Sequence, residues 1–268
     1  MFGKRYRGID MRPRALLDRS QKKVLEGKYL ANRYYKYLSA PQKTPCILYG
    51  LQRSGTNYVE HLLGSDFPGV RIRNSTKRSH HRHKHWRLYA DKSLMPTPEY
   101  LSRRSVEDAR GLWDLFRDDG VRIEAVVVVV REPLHWYRSY QNWAVRLKWP
   151  EVDYHYLQEW NAYYRIWHAL AAEDPDRIVL LRYEDLLGSE ETALSSLANV
   201  LKMPLVDAAQ DFKHVPHSQG FDTKKREENL SPLALDKFPP SDRDAILANL
   251  DPLLNEALGY PAMSNVDT

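Results

Sequence analysis

The feature that most constrains the fold is a run of five consecutive valines at the end of the segment Ile123–Val130. β-branched residues favour extended backbone, and a run without polar positions leaves neither face of a strand for water. Such a strand must be covered on both faces, as in the centre of a parallel sheet. The polar segment 131–133, which contains a proline, ends it. The run therefore predicts a central parallel strand.

The rest of the chain alternates between apolar runs and helical patterns. Strands are predicted from Cys46, at 70–73 and at 177–181, and helices at 56–63, 105–118, 134–147, 153–172, 190–201 and 242–257. Strands that alternate with helices favour parallel pairing with helices on both faces. The predicted fold is a three-layer α/β architecture, with a central parallel β-sheet flanked by helices.

The 268 residues fit one large α/β domain with an extension. We predict a basic helical N-terminal arm at 1–43, and an α/β domain at 44–268 that carries a polar loop or lid at about 74–104. No apolar run reaches the ~18–20 residues of a membrane span, and no secretory signal is evident. These features predict a cytoplasmic protein. The single cysteine, Cys46, falls in a predicted strand and is expected to be an inert buried thiol.

Positive charge is unevenly distributed along a chain whose formal net charge is +5. Arginine and lysine are concentrated in the N-terminal arm and in residues 71–92, which also contain several histidines. Such patches attract polyanions, such as nucleic acid, an anionic saccharide or a phosphorylated cofactor, although a merely solvated basic surface is the alternative.

A glycine-rich loop follows the first predicted strand. The segment Gly50–Asn57 has the glycine spacing of a nucleoside-triphosphate loop, G-x-x-x-x-G, between a strand and a helix. However, Thr56 occupies the position of the phosphate-binding lysine, and Asn57 that of the magnesium-binding hydroxyl. The cationic residue is Arg53, inside the loop. The pattern indicates a phosphate loop that does not hold a metal-bound triphosphate.

Three strand ends carry polar residues, at 50–58, 131–139 and 182–185. Ligands of open α/β sheets bind beyond the carboxyl ends of the strands, so these segments are expected to face one crevice. Arg131, with Ser139 two turns into the next helix, would form a clamp for a second phosphate. The alternatives are an Arg131 ion pair with Glu132 or Glu184, and a Ser139 that only faces solvent.

These segments resemble motifs of the sulfotransferase family. Residues 52–58 resemble the loop that binds the 5′-phosphosulfate, and Arg131-Glu132-Pro133 followed by Ser139-Tyr140 resembles the 3′-phosphate motif. Residues 181–186 are similar to the family's Tyr-Glu-Asp-Leu strand end. The motifs occur in the family's order, and the resemblance covers about residues 46–190.

The resemblance implies 3′-phosphoadenosine 5′-phosphosulfate (PAPS) as the sulfuryl donor, a P-loop-like fold and no metal. Arg53 would neutralise the 5′-phosphosulfate and the charge that develops on the leaving oxygen. Ser54, Gly55, Thr56 and Asn57 would cradle that phosphate.

The same resemblance implies residues for the other end of the nucleotide. Arg131 and Ser139 would hold the 3′-phosphate. Tyr58 takes the place of an aromatic residue that lies against the adenine, and Tyr183 would border the adenine.

A general base is expected between the first loop and the 3′-phosphate strand, where the family has a histidine or a glutamate. His85, beside Lys84, is the leading candidate, followed by His83 and His81. A solvated loop is the alternative. A metal site is a further alternative, because these histidines alternate as on one face of a strand, although no cysteine or carboxylate nearby completes a ligand set.

The leading functional hypothesis is sulfuryl transfer from PAPS to a hydroxyl or amine of a small-molecule or saccharide acceptor. A P-loop kinase-like phosphotransferase and a non-catalytic polyanion-binding module are the alternatives. No specific nucleic acid is expected as a partner, and the oligomeric state is open.

Overall fold

The computed structural model describes residues 43–67, 69–74, 80–86, 97–188, 190–203, 223–231 and 233–261. The predicted N-terminal arm lies outside the described residues except for Lys43. Parts of the predicted lid, at 75–79 and 87–96, also lie outside them. Within these ranges every helix is too short or too polar to cross a membrane.

A four-stranded parallel sheet forms the centre of the fold. Its strands are β1 (Thr44–Tyr49), β2 (Val70–Ile72), β3 (Ala125–Val130) and β4 (Ile178–Arg182), in the order β2-β1-β3-β4. Cys46 lies opposite Ala125 in the register of β1 and β3, and Val130 lies opposite Arg182 in the register of β3 and β4. The loop after β1 and the segment after β3 therefore leave neighbouring strands at the same edge of the sheet.

The helices of the described residues are bounded as follows: α1 Thr56–Ser65, α2 Pro98–Ser102, α3 Val106–Asp118, α4 Pro133–Leu147, α5 Tyr156–Glu173, α6 Tyr183–Gly188, α7 Glu190–Leu201, α8 Thr223–Leu230, α9 Pro240–Asn249 and α10 Pro252–Ala257. Two 3₁₀ turns, His80–Arg82 and Leu235–Lys237, complete the set.

The valine run explains the three layers. Val126, Val128 and Val130 belong to a core cluster with residues of α3, α4 and α5 on one face of the sheet. Val127 and Val129 belong to a second cluster with residues of α1, α6 and α7 on the other face. All five valines are fully buried, as alternation of side chains across a doubly covered strand requires. The three-layer α/β prediction with a central parallel sheet is confirmed.

Several predicted boundaries move by a few residues. β3 begins at Ala125 rather than at residue 123, and α5 begins at Tyr156. The helix predicted at 242–257 is two helices, because Pro252 lacks the N–H that would continue α9. The Asp251 carboxylate caps the second helix by accepting a hydrogen bond from the Leu254 N–H at 3.1 Å.

Cys46 is fully buried, and this burial raises its thiol pKa to about 12. A thiol with so high a pKa carries almost no thiolate at neutral pH, so it is a poor nucleophile. The expected inert role of this cysteine is thereby supported.

Candidate functional site

The loop between β1 and α1 presents backbone N–H groups at a helix N-terminus. Arg53 and Gly55 both adopt positive φ, 75° and 99°. Among the described residues, the N–H groups of Gly55, Thr56 and Asn57 find no acceptor in the protein. Consecutive free N–H groups at the positive end of a helix bind anions, so the loop has the chemistry of a phosphate site.

The glycine at position 55 is required by its neighbours as well as by its backbone. A Cβ atom on Gly55 would lie 2.3 Å from Cδ2 of Tyr183, closer than real carbon atoms approach. Its φ of 99° is also strained for any residue with a side chain. The loop backbone therefore packs directly against Tyr183 at the end of β4.

The loop is fixed from both sides by hydrogen bonds. The indole Nε1 of Trp136, in α4, donates to the Gln52 carbonyl at 2.9 Å, and the Gly50 N–H donates to the Lys84 carbonyl at 3.3 Å. The Ser54 N–H closes the turn on the Leu51 carbonyl at 3.1 Å. These bonds hold the loop without using the free N–H groups.

Arg131 and Ser139 meet the loop directly. The Arg131 Nη1 donates to the Arg53 carbonyl at 3.0 Å, and the Arg53 Nε donates to the Ser139 hydroxyl at 3.1 Å. Among the described residues, Arg131 makes no ion pair with Glu132 or Glu184; its Nη2 donates instead to the Asn229 side chain in α8. Segments 50–58 and 131–139, which the sequence predicted to share a crevice, are thus joined, and Ser139 does not simply face solvent.

Aromatic rings position the guanidinium groups. The Arg53 guanidinium carbon lies 4.9 Å from the centroid of the Trp143 ring, and Arg146 lies 5.5 Å from the same ring. Arg131 lies 5.4 Å from the ring of Tyr183. Each distance is within cation–π range. We refer to Arg53, Arg131 and Arg146 as the arginine cluster.

The members of the arginine cluster repel one another. Partial burial lowers the pKa of Arg53, and the positive charges of Arg131 and Arg146 lower it further. An arginine nevertheless stays protonated at neutral pH, so the cluster carries concentrated positive charge. A bound anion would relieve this repulsion.

The two carboxyl groups beside Arg131 bind backbone N–H groups rather than its guanidinium. Burial raises the pKa of Glu132 from 4.5 to about 7, and the charge of Glu184 contributes in the same direction. Burial also raises the pKa of Glu184. Their oxygens accept hydrogen bonds from backbone, Glu132 from the His135 N–H at 2.7 Å and Glu184 from the Glu132 N–H at 3.0 Å. They therefore organise the turn between β3 and α4.

Tyr58 and Tyr183 lie beside the loop in an edge-to-face pair, with ring centroids 6.3 Å apart. Tyr58 is 6% exposed and Tyr183 is 9% exposed. Ser54 and Thr56 are also buried, so neither presents its hydroxyl group to the crevice.

Lys84 lies against α1 rather than in open solvent. Lys84 is 1% exposed. Its ammonium donates a hydrogen bond to the Asn57 side chain at 2.5 Å and forms an ion pair with Glu60. A buried lysine needs such partners to remain charged. In this position Lys84 holds the segment 83–86 against the first turn of α1.

The candidate histidines differ in how their ring nitrogens are used. His85 Nδ1 lies 3.1 Å from the Gly50 carbonyl, which can only accept a hydrogen bond, so Nδ1 carries the proton and Nε2 is the basic nitrogen. His83 Nδ1 accepts from the His85 N–H at 3.1 Å. His81 Nε2 lies 2.7 Å from an Asp119 carboxylate oxygen.

The segment with these histidines is a 3₁₀ turn followed by a bend, not a strand. The three rings therefore do not alternate as on one strand face. Among the described residues, no group of three or more histidine, cysteine, aspartate or glutamate side chains is arranged to hold a metal ion.

The sequence reasoning missed Trp143, Arg146, Trp136 and Asn229. Trp143 lies four residues after Ser139, a spacing that places both on one helix face and could have signalled a contact. Asn229 comes from the C-terminal third, where no motif was recognised. Its contact with Arg131 depends on the tertiary fold alone.

Comparison with known proteins adds no relative. The chain matches no protein-family model and no curated protein.

Proposed function

We propose that this protein is a sulfotransferase that moves the sulfuryl group of PAPS to a hydroxyl or amine of an acceptor. The observation that carries the proposal is the contact between the two predicted anion sites. Arg131 donates to the Arg53 carbonyl, and Arg53 donates to Ser139, so the phosphate loop and the predicted second clamp form one continuous cluster.

Two neighbouring anion sites favour a nucleotide with phosphates at separate positions. The free N–H groups of the loop suit one phosphate, and Arg131 with Ser139 suits another. A nucleoside triphosphate bound with Mg²⁺ fits less well. Thr56 and Asn57 replace the lysine and the hydroxyl that such a ligand needs.

The residues around the loop fit the donor. Tyr58 and Tyr183 lie beside the loop, where the resemblance places the adenine, and the positive charges of Arg53 and Arg131 complement a ligand with several negative charges. PAPS supplies an activated sulfuryl group whose bond to the 5′-phosphate breaks during transfer. The leaving product is 3′,5′-ADP.

In this reaction the protein binds and orients the donor and the acceptor, and it removes the acceptor proton. The acceptor oxygen or nitrogen forms a bond to sulfur as the bond between sulfur and the phosphate oxygen breaks. The acceptor proton passes to Nε2 of His85, the nitrogen left basic by the bond between Nδ1 and Gly50. Arg53 stabilises the negative charge that moves onto the leaving phosphate oxygen.

His85 suits the role of base better than its neighbours. Its ring contacts the loop itself, through the Gly50 carbonyl, whereas His81 is paired with Asp119. Lys84 supports the base by holding its segment against α1.

A thermal-shift titration tests the proposal. We expect 3′,5′-ADP to raise the Tm in a saturable way, because a ligand at a hundredfold excess over its Kd stabilises the native state by about 2.7 kcal/mol. ATP with Mg²⁺ should give a much smaller shift. Stabilisation by ATP with Mg²⁺ alone would favour the phosphotransferase alternative and overturn the proposal.

A further inference from the structure

One face of α4 leads outward from the candidate donor site. Ser139, Trp143 and Arg146 are spaced by four and three residues, so they lie on the same face of this helix. At a rise of 1.5 Å per residue, Arg146 lies about 10 Å along the helix axis from Ser139. The face therefore links the arginine at the loop to a second cation farther out.

Trp143 couples the two cations. The guanidinium carbons of Arg53 and Arg146 lie 4.9 Å and 5.5 Å from the centroid of its ring. The indole thus stabilises both guanidinium groups while keeping them close despite their repulsion. The shared ring places Arg146 beside Arg53.

The charge of Arg146 is available to a ligand. Its side chain is exposed, and within the described ranges it forms neither an ion pair nor a hydrogen bond with the protein. By contrast, Arg165 on the neighbouring helix is paired with Asp251 at 2.8 Å. A guanidinium presents paired N–H donors that match carboxylate, sulfate or phosphate oxygens.

We propose that Arg146 binds a negatively charged group of the acceptor, so that the protein selects acceptors that already carry a carboxylate, sulfate or phosphate. This inference rests on the proposed sulfotransferase function. The two anionic positions of the donor are assigned to the loop and to Arg131 with Ser139. Arg146, displaced along α4 and in contact with the same Trp143 ring as Arg53, is the remaining cation of the cluster.

Two matched acceptor probes test the inference. 4-Nitrophenyl β-D-glucuronide and 4-nitrophenyl β-D-glucoside differ only at C6 of the sugar, which is a carboxylate in the glucuronide and a neutral hydroxymethyl group in the glucoside. Their binding to the full chain saturated with 3′,5′-ADP is measured by calorimetry. We expect the parent protein to bind the glucuronide about tenfold more tightly, the size of one charge-assisted hydrogen bond.

The variants locate the effect. Arg146→Gln should weaken glucuronide binding about tenfold, to the level of the glucoside, and leave the affinity for 3′,5′-ADP unchanged. Arg146→Lys should retain part of the preference. Arg122→Gln removes a positive charge from an exposed residue on the opposite edge of the sheet and should behave like the parent.

The outcomes separate the two proposals. Suppose that 3′,5′-ADP binds but the parent does not prefer the glucuronide to the glucoside, or that Arg146→Gln retains this preference. The role of Arg146 is then overturned while the proposed function stands. If 3′,5′-ADP does not bind at all, both proposals fall. If Arg146→Gln does not fold, Arg146→Lys tests the inference in its place. Because a lysine cannot form the paired contact of a guanidinium, an undiminished preference for the glucuronide in Arg146→Lys would also contradict the inference.

Discussion

The arginines at the two edges of the sheet differ in the groups that their guanidinium groups contact. At the amino edge, Arg122 pairs with Glu124 at 2.8 Å and Arg177 pairs with Asp174 at 3.2 Å. At the carboxyl edge, the side chains of Arg53 and Arg131 contact a hydroxyl, a carbonyl, an amide and aromatic rings instead.

The difference is not a general property of the carboxyl edge. Arg182, at the end of β4, lies 3.6 Å from Asp185 and donates to the Gly259 carbonyl at 2.7 Å. Around the loop, by contrast, the guanidinium groups of Arg53 and Arg131 form no ion pair with a carboxylate among the described residues. Uncompensated charge of one sign in a crevice costs stability and attracts ligands of the other sign, which is typical of a binding site.

Arg53→Ala breaks the carboxyl-edge arrangement at its centre. We expect transfer from PAPS to fall at least about a thousandfold, because the charge on the leaving oxygen loses its counter-ion. Steady-state turnover measures the effect. Arg122→Ala, which removes a paired arginine from the amino edge, is the matched control and should keep parental turnover. Equal activity of the two variants would refute the distinction between the edges.

Glu132→Gln tests whether the carboxyl group beside Arg131 is protonated in the native state. Burial raises the pKa of Glu132 from 4.5 to about 7, so between these values the native state holds a proton that the unfolded chain has lost. The free energy of unfolding should therefore fall as pH rises from 4.5 to 7, by up to about 3 kcal/mol relative to the variant. Denaturant titrations at pH 4.5, 6 and 8 measure this difference.

Asp119→Asn is a control for which the stability difference from the parent should change with pH in the opposite direction. Hydrogen bonds from His81 and Arg82 lower the pKa of Asp119, so its contribution to stability is present above the pKa of the unfolded chain and is lost as the pH falls. If the difference in the free energy of unfolding between the parent and Glu132→Gln does not change with pH, Glu132 is ionised at every pH measured and neutralises Arg131.

His85→Ala tests the base beside the loop. We expect kcat to fall about a hundredfold while the affinity for 3′,5′-ADP survives, because the ring acts on the acceptor proton and not on the nucleotide. Turnover and calorimetry together separate these effects. His81→Ala, in which the lost ring was paired with Asp119, should retain most of the activity. Unchanged kcat in His85→Ala would transfer the role to His83.

Arg131→Ala removes the contact between the β3 end and the loop. We expect the affinity for 3′,5′-ADP to fall about thirtyfold, the range of a charge-assisted hydrogen bond to a phosphate. Asn229→Ala should have a smaller effect of a few fold, because Asn229 acts on the nucleotide through the orientation of the Arg131 guanidinium. Calorimetric titration gives both values. Parental affinity in Arg131→Ala would remove it from the binding site.

Local sequence patterns predicted some features better than others. The valine run predicted a strand covered on both faces, because alternation of side chains is a property of every strand. The helix predicted at 242–257 was wrong in its continuity, although Pro252 was visible in the sequence, because the apolar pattern continues across it. Strand and helix ends moved where capping decided the first residue, as at Tyr156.

The candidate site was predicted in its parts but not in its contacts. Arg53, Arg131 and Ser139 follow from residue type and position after a strand, and the parallel order of β1 and β3 brings them to one edge. The choice among the histidines required geometry, because adjacent rings in one short segment differ only in the partners of Nδ1 and Nε2.

The sequence by itself determined a parallel α/β sheet, with a glycine-rich loop and a second cationic segment at its carboxyl edge, because these features depend on local periodicity, glycine spacing and residue charge. The tertiary structure alone decided which charges remain without a carboxylate partner. Asn229 reaches Arg131, Lys84 is buried against α1, and Arg146 shares a ring with Arg53 through contacts that depend on packing. Such contacts join residues up to 98 positions apart, where no local pattern records the distance.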